Sequence, residues 1–435
     1  MNFEEIKQKQ LTWVSGYFCM FDYEISIDDE DIENNYPTIF HEFTHYLQTM
    51  CTISGLDDLD TYIRYFSRCF CKLGISQFDI TPPVYDFLDR KMGNETFSNL
   101  VDRNSLGVTF KDEKYIFPDS SEDDYELTTE TFYDSYTTKN LDILCIHIDG
   151  KKIPLNKLVI KENMAMMNTL IAKNKDDNIS EDDIDEIIAF EYKEYVAIFD
   201  FINHLFPGKN IIKLVYQICE LSLNVTYSEK MIAQIIYYLN QNAEELNKKN
   251  EDEIIQSIKV ELEFNAKYVS ELNSFNLKAV ITFRTLETII IRDKNEFLEI
   301  LLNIYRYAFS FINNQSSIWT SLYSSTLNQT YINRFVPEIG APIIYYKNSK
   351  TTKTLSGAPN SFYDDLSYLH GALKLFVKAY FEQVRICPFF EGTICNNTKN
   401  ENCQDNCFEN YGKTGYENCL LANSLICTGL KSKNR

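Results

Sequence analysis

Tyr36-Pro37-Thr38-Ile39-Phe40-His41-Glu42-Phe43-Thr44-His45-Tyr46-Leu47-Gln48-Thr49-Met50 is the stretch on which the reading of the fold turns. Ile39, Phe43, Tyr46 and Met50 recur at helical spacing and form one apolar face, with Phe40 and Leu47 at its edge. His41, His45 and Gln48 fall on the opposite face. Pro37 suits the first turn of a helix, where its missing N–H would be unpaired anyway. Gly55 reads as a stop. The stretch predicts a buried helix with an apolar back and a polar front.

The polar front holds the pattern His41-Glu42-Phe43-Thr44-His45. Histidines four apart on a helix lie one turn above each other, so both imidazoles can point at a single ion. Glu42 lies about 100° round the helix from each neighbour in sequence. It stands beside such an ion, where it can take a proton from a water that the metal activates.

These five residues resemble the active-site helix of the zincin metallopeptidases. The resemblance implies a mixed sheet packed on helices, His41 and His45 as zinc ligands, and Glu42 as the general base. The longer pattern, with a third histidine after a short Gly-containing spacer, is absent, since the next histidine after His45 is His147. A glutamate from a later helix, as in the gluzincin branch, is then the implied third ligand.

A ligand carboxylate belongs on the core-facing side of its helix, where an uncompensated charge would be costly. Two segments qualify. In residues 155–170, Asn156 is a good N-cap. Leu158, Val159, Ala165, Met166, Thr169 and Leu170 flank Glu162 on one face, and Lys157, Lys161 and Asn168 occupy the other. Ala165 is small enough to admit a second helix closely, and Glu-x-x-Ala resembles the third-ligand signature of several gluzincin-like families. The second segment opens at Ser180-Glu181-Asp182-Asp183, a capping-box-like start, and runs to about residue 205. Glu191 is central on its apolar face with Tyr195, and Glu194 lies at the edge. Glu162 is preferred, with Glu194 and then Glu191 as alternatives. The 117 residues from His45 to Glu162 then require an insertion at about 56–140.

The chain has 435 residues, 44% of them hydrophobic and 14% aromatic, enough to bury a substantial core. Its formal net charge of −21 repels nucleic-acid phosphates and anionic membranes, and no basic, aromatic-interleaved stripe offsets that. The most apolar run, residues 297–312, contains Glu299 and Arg306 and reads as a core helix rather than a membrane span. The N-terminus lacks the basic and apolar blocks of a secretory signal, which points to the cytoplasm.

Residues 12–27 are strand-like, and residues 62–73 are helical in pattern. Residues 110–140 are acidic and Ser/Thr-rich, and read as exposed loops with at most one strand. Ile143 to Ile148, Asp149-Gly150 and Lys151 to Ile153 form a hairpin with a tight turn, which leads into the Glu162 helix. From about 180 to 335 the pattern is mostly helical, for example 229–248 and 251–272. An irregular stretch at 337–359 precedes a helix at 363–384.

Six of the twelve cysteines, Cys387, Cys395, Cys403, Cys407, Cys419 and Cys427, fall in the last 49 residues, at separations of 8, 8, 4, 12 and 8. No C-x-x-C occurs among them. A second zinc or an iron–sulfur cluster, a disulfide framework, and reduced thiols all remain open. The scattered Cys19, Cys51, Cys69, Cys71, Cys145 and Cys219 read as buried small hydrophobes.

The expected fold is α+β and predominantly helical: a zincin-like catalytic core with a small sheet, helical insertions and a Cys-rich C-terminal subdomain. Its divisions are 1–180 (metal-binding core), 181–385 (a mainly helical domain completing the cleft) and 386–435 (the Cys-rich segment). The expected function is that of a zinc metallopeptidase acting on a protein or peptide substrate. The alternatives are hydrolysis of a non-peptide amide or ester, and an inactive metal-stabilised binding module whose cysteine tail docks a protein partner. An intact Glu42 argues against the last. His370, Tyr345 and Tyr346 are candidates for stabilising an oxyanion.

Overall fold

The computed structural model describes residues 16–19, 24–27, 32–75, 109–115, 125–134, 139–148, 151–177, 193–293, 296–314, 342–349, 351–354 and 373. The histidine segment lies in helix α1 (Ile32–Cys51). Ile39, Phe40, Phe43, Tyr46, Leu47 and Met50 are all buried, as the periodicity predicts. Pro37 is the sixth residue of α1 rather than part of its first turn. A proline there withholds one N–H from the helical ladder, and the fully packed face downstream outweighs that single loss.

Gly55 is not the stop. Thr52 ends α1 and opens α2 (Ile53–Ile75). Its hydroxyl donates to the Gln48 carbonyl at 2.7 Å and accepts from the Gly55 N–H at 2.9 Å, while its own carbonyl accepts from the Leu56 N–H. Thr52 is thus the N-cap of α2 and a partner for a terminal carbonyl of α1 at once. Glycine is needed at position 55 for close approach. A Cβ there would lie 2.6 Å from the Thr49 carbonyl oxygen and closer still to that of Gln48.

Among the described residues the strands form two four-stranded sheets. In the first, β1 (Gly16–Cys19) pairs antiparallel with β2 (Glu24–Ile27). β2 pairs in parallel with β7 (Ile343–Tyr346), and β7 antiparallel with β8 (Thr351–Thr354). The second is an antiparallel meander of β3 (Thr109–Tyr115), β4 (Tyr125–Asp134), β5 (Lys139–Ile148) and β6 (Lys151–Pro154). Two expectations are corrected here. Residues 110–140 hold two paired strands rather than mainly loops, and the irregular stretch at 337–359 contains β7 and β8. In both cases the strand gains its ladder bonds from distant or polar partners that leave no apolar alternation to read.

Helices carry most of the described chain, so the fold is α+β and predominantly helical. The expected β5–β6 hairpin delivers the chain to α3 (Lys157–Asp177). The carbonyl of Leu144 accepts from the Leu155 N–H, and the Asn156 side chain caps α3 by accepting from the Val159 N–H at 2.9 Å. Beyond it run α4 (Lys193–Leu205), α5 (Ile211–Leu223), α6 (Ser228–Gln241), α7 (Ala243–Leu246), α8 (Glu251–Glu261), α9 (Phe264–Asp293) and α10 (Glu296–Asn314). The expected helix at 229–248 is split at Asn242, and that at 251–272 is broken where Glu263 takes φ 49°, a left-handed turn between α8 and α9. The run at 297–312 is a packed helix within α10, with Leu298, Leu301, Leu302, Tyr305 and Ala308 buried. No helix among the described residues is long and apolar enough to cross a membrane.

α3 is the hub: it packs against α1, α4 and α5. Over residues 157–171 both of its sides are buried or half-buried, which corrects the expectation of a polar outer face. Asn168 is wholly buried, with its amide reaching the Thr44 hydroxyl of α1 at 3.3 Å. Lys157 and Lys161 turn inward to the buried Asp58 of α2, at 2.7 and 3.3 Å. Asn163 accepts from the Ile198 N–H of α4. α2 in turn is tied to α9 and α10 through Asp60, which takes hydroxyl donors from Thr282 (2.7 Å) and Tyr305 (3.0 Å) and ion pairs from Arg64 and Lys278. These ties fix α1 and α3 side by side.

Candidate metal centre

Where α1 and α3 face each other, His41, His45 and Glu162 meet. The Glu162 Oε2 atom lies 3.1 Å from His41 Nε2 and 3.2 Å from His45 Nε2, and the two Nε2 atoms are 3.3 Å apart. The three atoms form a nearly equilateral triangle. Two ligand atoms held about 2.0–2.1 Å from one ion at the tetrahedral angle stand roughly 3.3–3.4 Å apart. The triangle therefore has the size of one face of a tetrahedral ligand shell.

The proton positions follow from the outer partners. Gln48 donates through Nε2 to the Lys161 carbonyl at 2.9 Å, which turns its Oε1 to His45 Nδ1, also at 2.9 Å. An amide oxygen only accepts, so His45 carries a hydrogen on Nδ1. Thr169 spends its hydroxyl hydrogen on the Ala165 carbonyl at 2.9 Å, leaving its oxygen to accept from His41 Nδ1 at 3.3 Å. Both Nε2 atoms then face Glu162 with lone pairs. Two imidazole lone pairs and a carboxylate at this spacing require a positive charge among them, supplied by one proton or by a metal ion. Among the described residues these three side chains can hold a metal ion.

The electrostatics match that requirement. Burial works against a charged His45, yet the Glu162 carboxylate, with smaller help from Glu42 and Gln48, outweighs it and pushes the imidazole up to about 9. Burial alone would raise Glu162; His45 and His41 instead hold it well below the usual carboxylate range. Glu42 is 3% exposed. Burial lowers Lys161 from its usual value, against the pull of Asp58.

Of the alternatives for the third carboxylate, Glu191 lies outside the described residues. Glu194 falls in the backbone of α4, and its side chain is outside them. α4 does reach the centre through Tyr195, whose ring centroid is 6.0 Å from that of His41. Tyr345 and Tyr346 sit on β7, opposite Ser26 and Ile27 of β2. His370, the six tail cysteines and the helix expected at 363–384, apart from the buried Leu373, lie outside the described residues. Cys51, Cys69, Cys145 and Cys219 are buried free thiols, as expected, and burial raises Cys51, Cys145 and Cys219.

Sequence reasoning placed three further residues of this centre on the right faces but gave them no role at the triangle. Gln48 was legible as a polar group on the histidine face, three residues after His45. Thr169 lies two turns beyond Glu162 on the same face of α3, where its spacing had put it. Tyr195 had no local signal beyond its place in an apolar stripe. No family model, curated protein or solved structure matches this chain.

Proposed function

We propose that the chain is a zinc-dependent hydrolase of peptide bonds, in which His41, His45 and Glu162 hold the ion and Glu42 is the general base. The observation that carries this reading is the triangle of three acceptors 3.1–3.3 Å on a side, with a second, buried carboxylate, Glu42, between the two histidines in sequence. Two histidines and one glutamate form a donor set of the kind that leaves zinc an open position. A zinc ion bound there supplies a Lewis acid that makes water acidic near neutral pH and polarises a carbonyl.

The remaining work falls to the protein. Glu42 lies on α1 outside the triangle, and as the general base its carboxylate accepts a proton from water. The same group can then return that proton to the departing amine. Burial of Glu42, and of the apolar back of α1 behind it, keeps that proton from bulk solvent. The close pairing of the histidine helix with a later glutamate helix is the arrangement the zincin resemblance implies.

A peptide-library digestion read by mass spectrometry tests the proposal with Glu42→Gln against the natural chain. The substitution keeps shape and burial and removes only the proton acceptor. Cleavage should fall by about 10²–10⁴-fold with bound zinc retained. Cleavage at the unaltered rate by Glu42→Gln contradicts it.

A further inference from the structure

The polar atoms behind the two histidines form a second arrangement of their own. His45 is backed by Gln48, and His41 by Thr169. Gln48 is wholly buried and Thr169 nearly so. The Gln48 amide and the Thr169 hydroxyl each donate to a carbonyl of α3. Gln48 donates to Lys161, immediately before Glu162, and Thr169 donates to Ala165, three residues after it. These two carbonyls are one turn apart and bracket Glu162. α3 thus supplies one corner of the triangle directly and aims the other two through its own backbone.

We infer that Gln48 and Thr169 are positioning residues for the metal: each locks one histidine as the Nδ1–H form with Nε2 turned to the ion, using a neutral oxygen anchored to α3. The inference rests on the metal-centre reading above and adds to it. A histidine free to flip or change tautomer presents its lone pair only part of the time. Fixing both rings removes that cost before the ion arrives, and outer partners of metal-bound histidines typically account for 10–100-fold in affinity. Both partners here are uncharged, whereas a carboxylate often fills that role. Glu162 is thereby the only anion among the three corners and their two backing groups.

The test titrates the metal-free full chain with Co2+ and reads its visible ligand-field bands, then measures displacement by Zn2+ against a chelator. His45→Ala, carried in parallel, reports any signal from another site. Thr169→Val keeps the shape and removes the acceptor, and Gln48→Met does the same for His45. Both should bind Co2+ about 10–100-fold more weakly, with altered bands. Thr169→Ser, which keeps the hydroxyl, should restore the natural spectrum and affinity. If Thr169→Val does not fold, Gln48→Met together with the Thr169→Ser spectrum decides the matter. Natural affinity and bands in Gln48→Met and in any folded Thr169→Val overturn the positioning role while leaving the metal centre intact. A natural chain whose spectrum equals that of His45→Ala overturns both.

Discussion

His41 Nε2 and His45 Nε2 stand 3.3 Å apart, each with its Nδ1 hydrogen already committed to a neutral oxygen. Two lone pairs facing each other across that distance repel unless a positive charge lies between them and Glu162. In the metal-free chain that charge is a proton on His45, and its presence ties the stability of the fold to pH.

The sign is definite. His45 is raised from 6.5 to about 9, so its contribution is fully present below about pH 6.5 and is lost as pH rises through about 9. Glu162 is lowered by the same contacts, so its contribution is present above its ordinary value and is lost on strong acidification. Urea midpoints of metal-free protein should fall between about pH 6.5 and about pH 9.5. The fall should be smaller in His45→Ala. An equal fall in both proteins would show that the pair does not govern this range.

Gly55→Ala places a Cβ 2.7 Å from the Thr49 Cα and against the Gln48 carbonyl. The end of α1 must shift to admit it, and overpacking of this kind costs about 1–3 kcal/mol. The shift reaches Gln48 and with it His45, so zinc affinity should drop along with the urea midpoint. An unchanged midpoint would mean that α1 and α2 part here without penalty.

Asp60→Ala removes an anion with no exposed side-chain surface, leaving Lys278, Thr282 and Tyr305 without their shared partner. Breaking a buried charge network costs about 3–5 kcal/mol, and the partial exposure of Arg64 and Lys278 places this case near the lower end. Denaturant unfolding followed by far-ultraviolet circular dichroism measures it. A loss below about 1 kcal/mol would assign Asp60 the weight of a surface pair.

The history of these elements in the sequence is uneven. α1 was legible because its apolar spacing and the His-Glu-x-x-His pattern agree. Glu162 was legible because a carboxylate in the middle of an apolar stripe demands a partner. The inward turn of Lys157 and Lys161 was not, because Asp58 lies 99 and 103 residues away. β7 was hidden for the same reason. Its run Ile343-Ile344-Tyr345-Tyr346 sits in a proline- and glycine-containing segment and pairs with β2 near the opposite end of the chain. β4 carries Thr128, Thr129, Glu130 and Thr131 in succession, all partly buried, so it lacks the alternation that marks a strand. Residues whose own helix carries the signal could be read, and those marked only by a remote partner needed the fold.

The metal content of the 435-residue chain, purified without chelators and compared with three single variants, tests the central claim most directly. The natural chain should exceed His41→Ala, His45→Ala and Glu162→Ala each by about one zinc ion per chain, whatever the tail cysteines hold. Equal zinc in the natural chain and in all three variants would contradict the account, because the triangle of His41, His45 and Glu162 would then close around a proton alone.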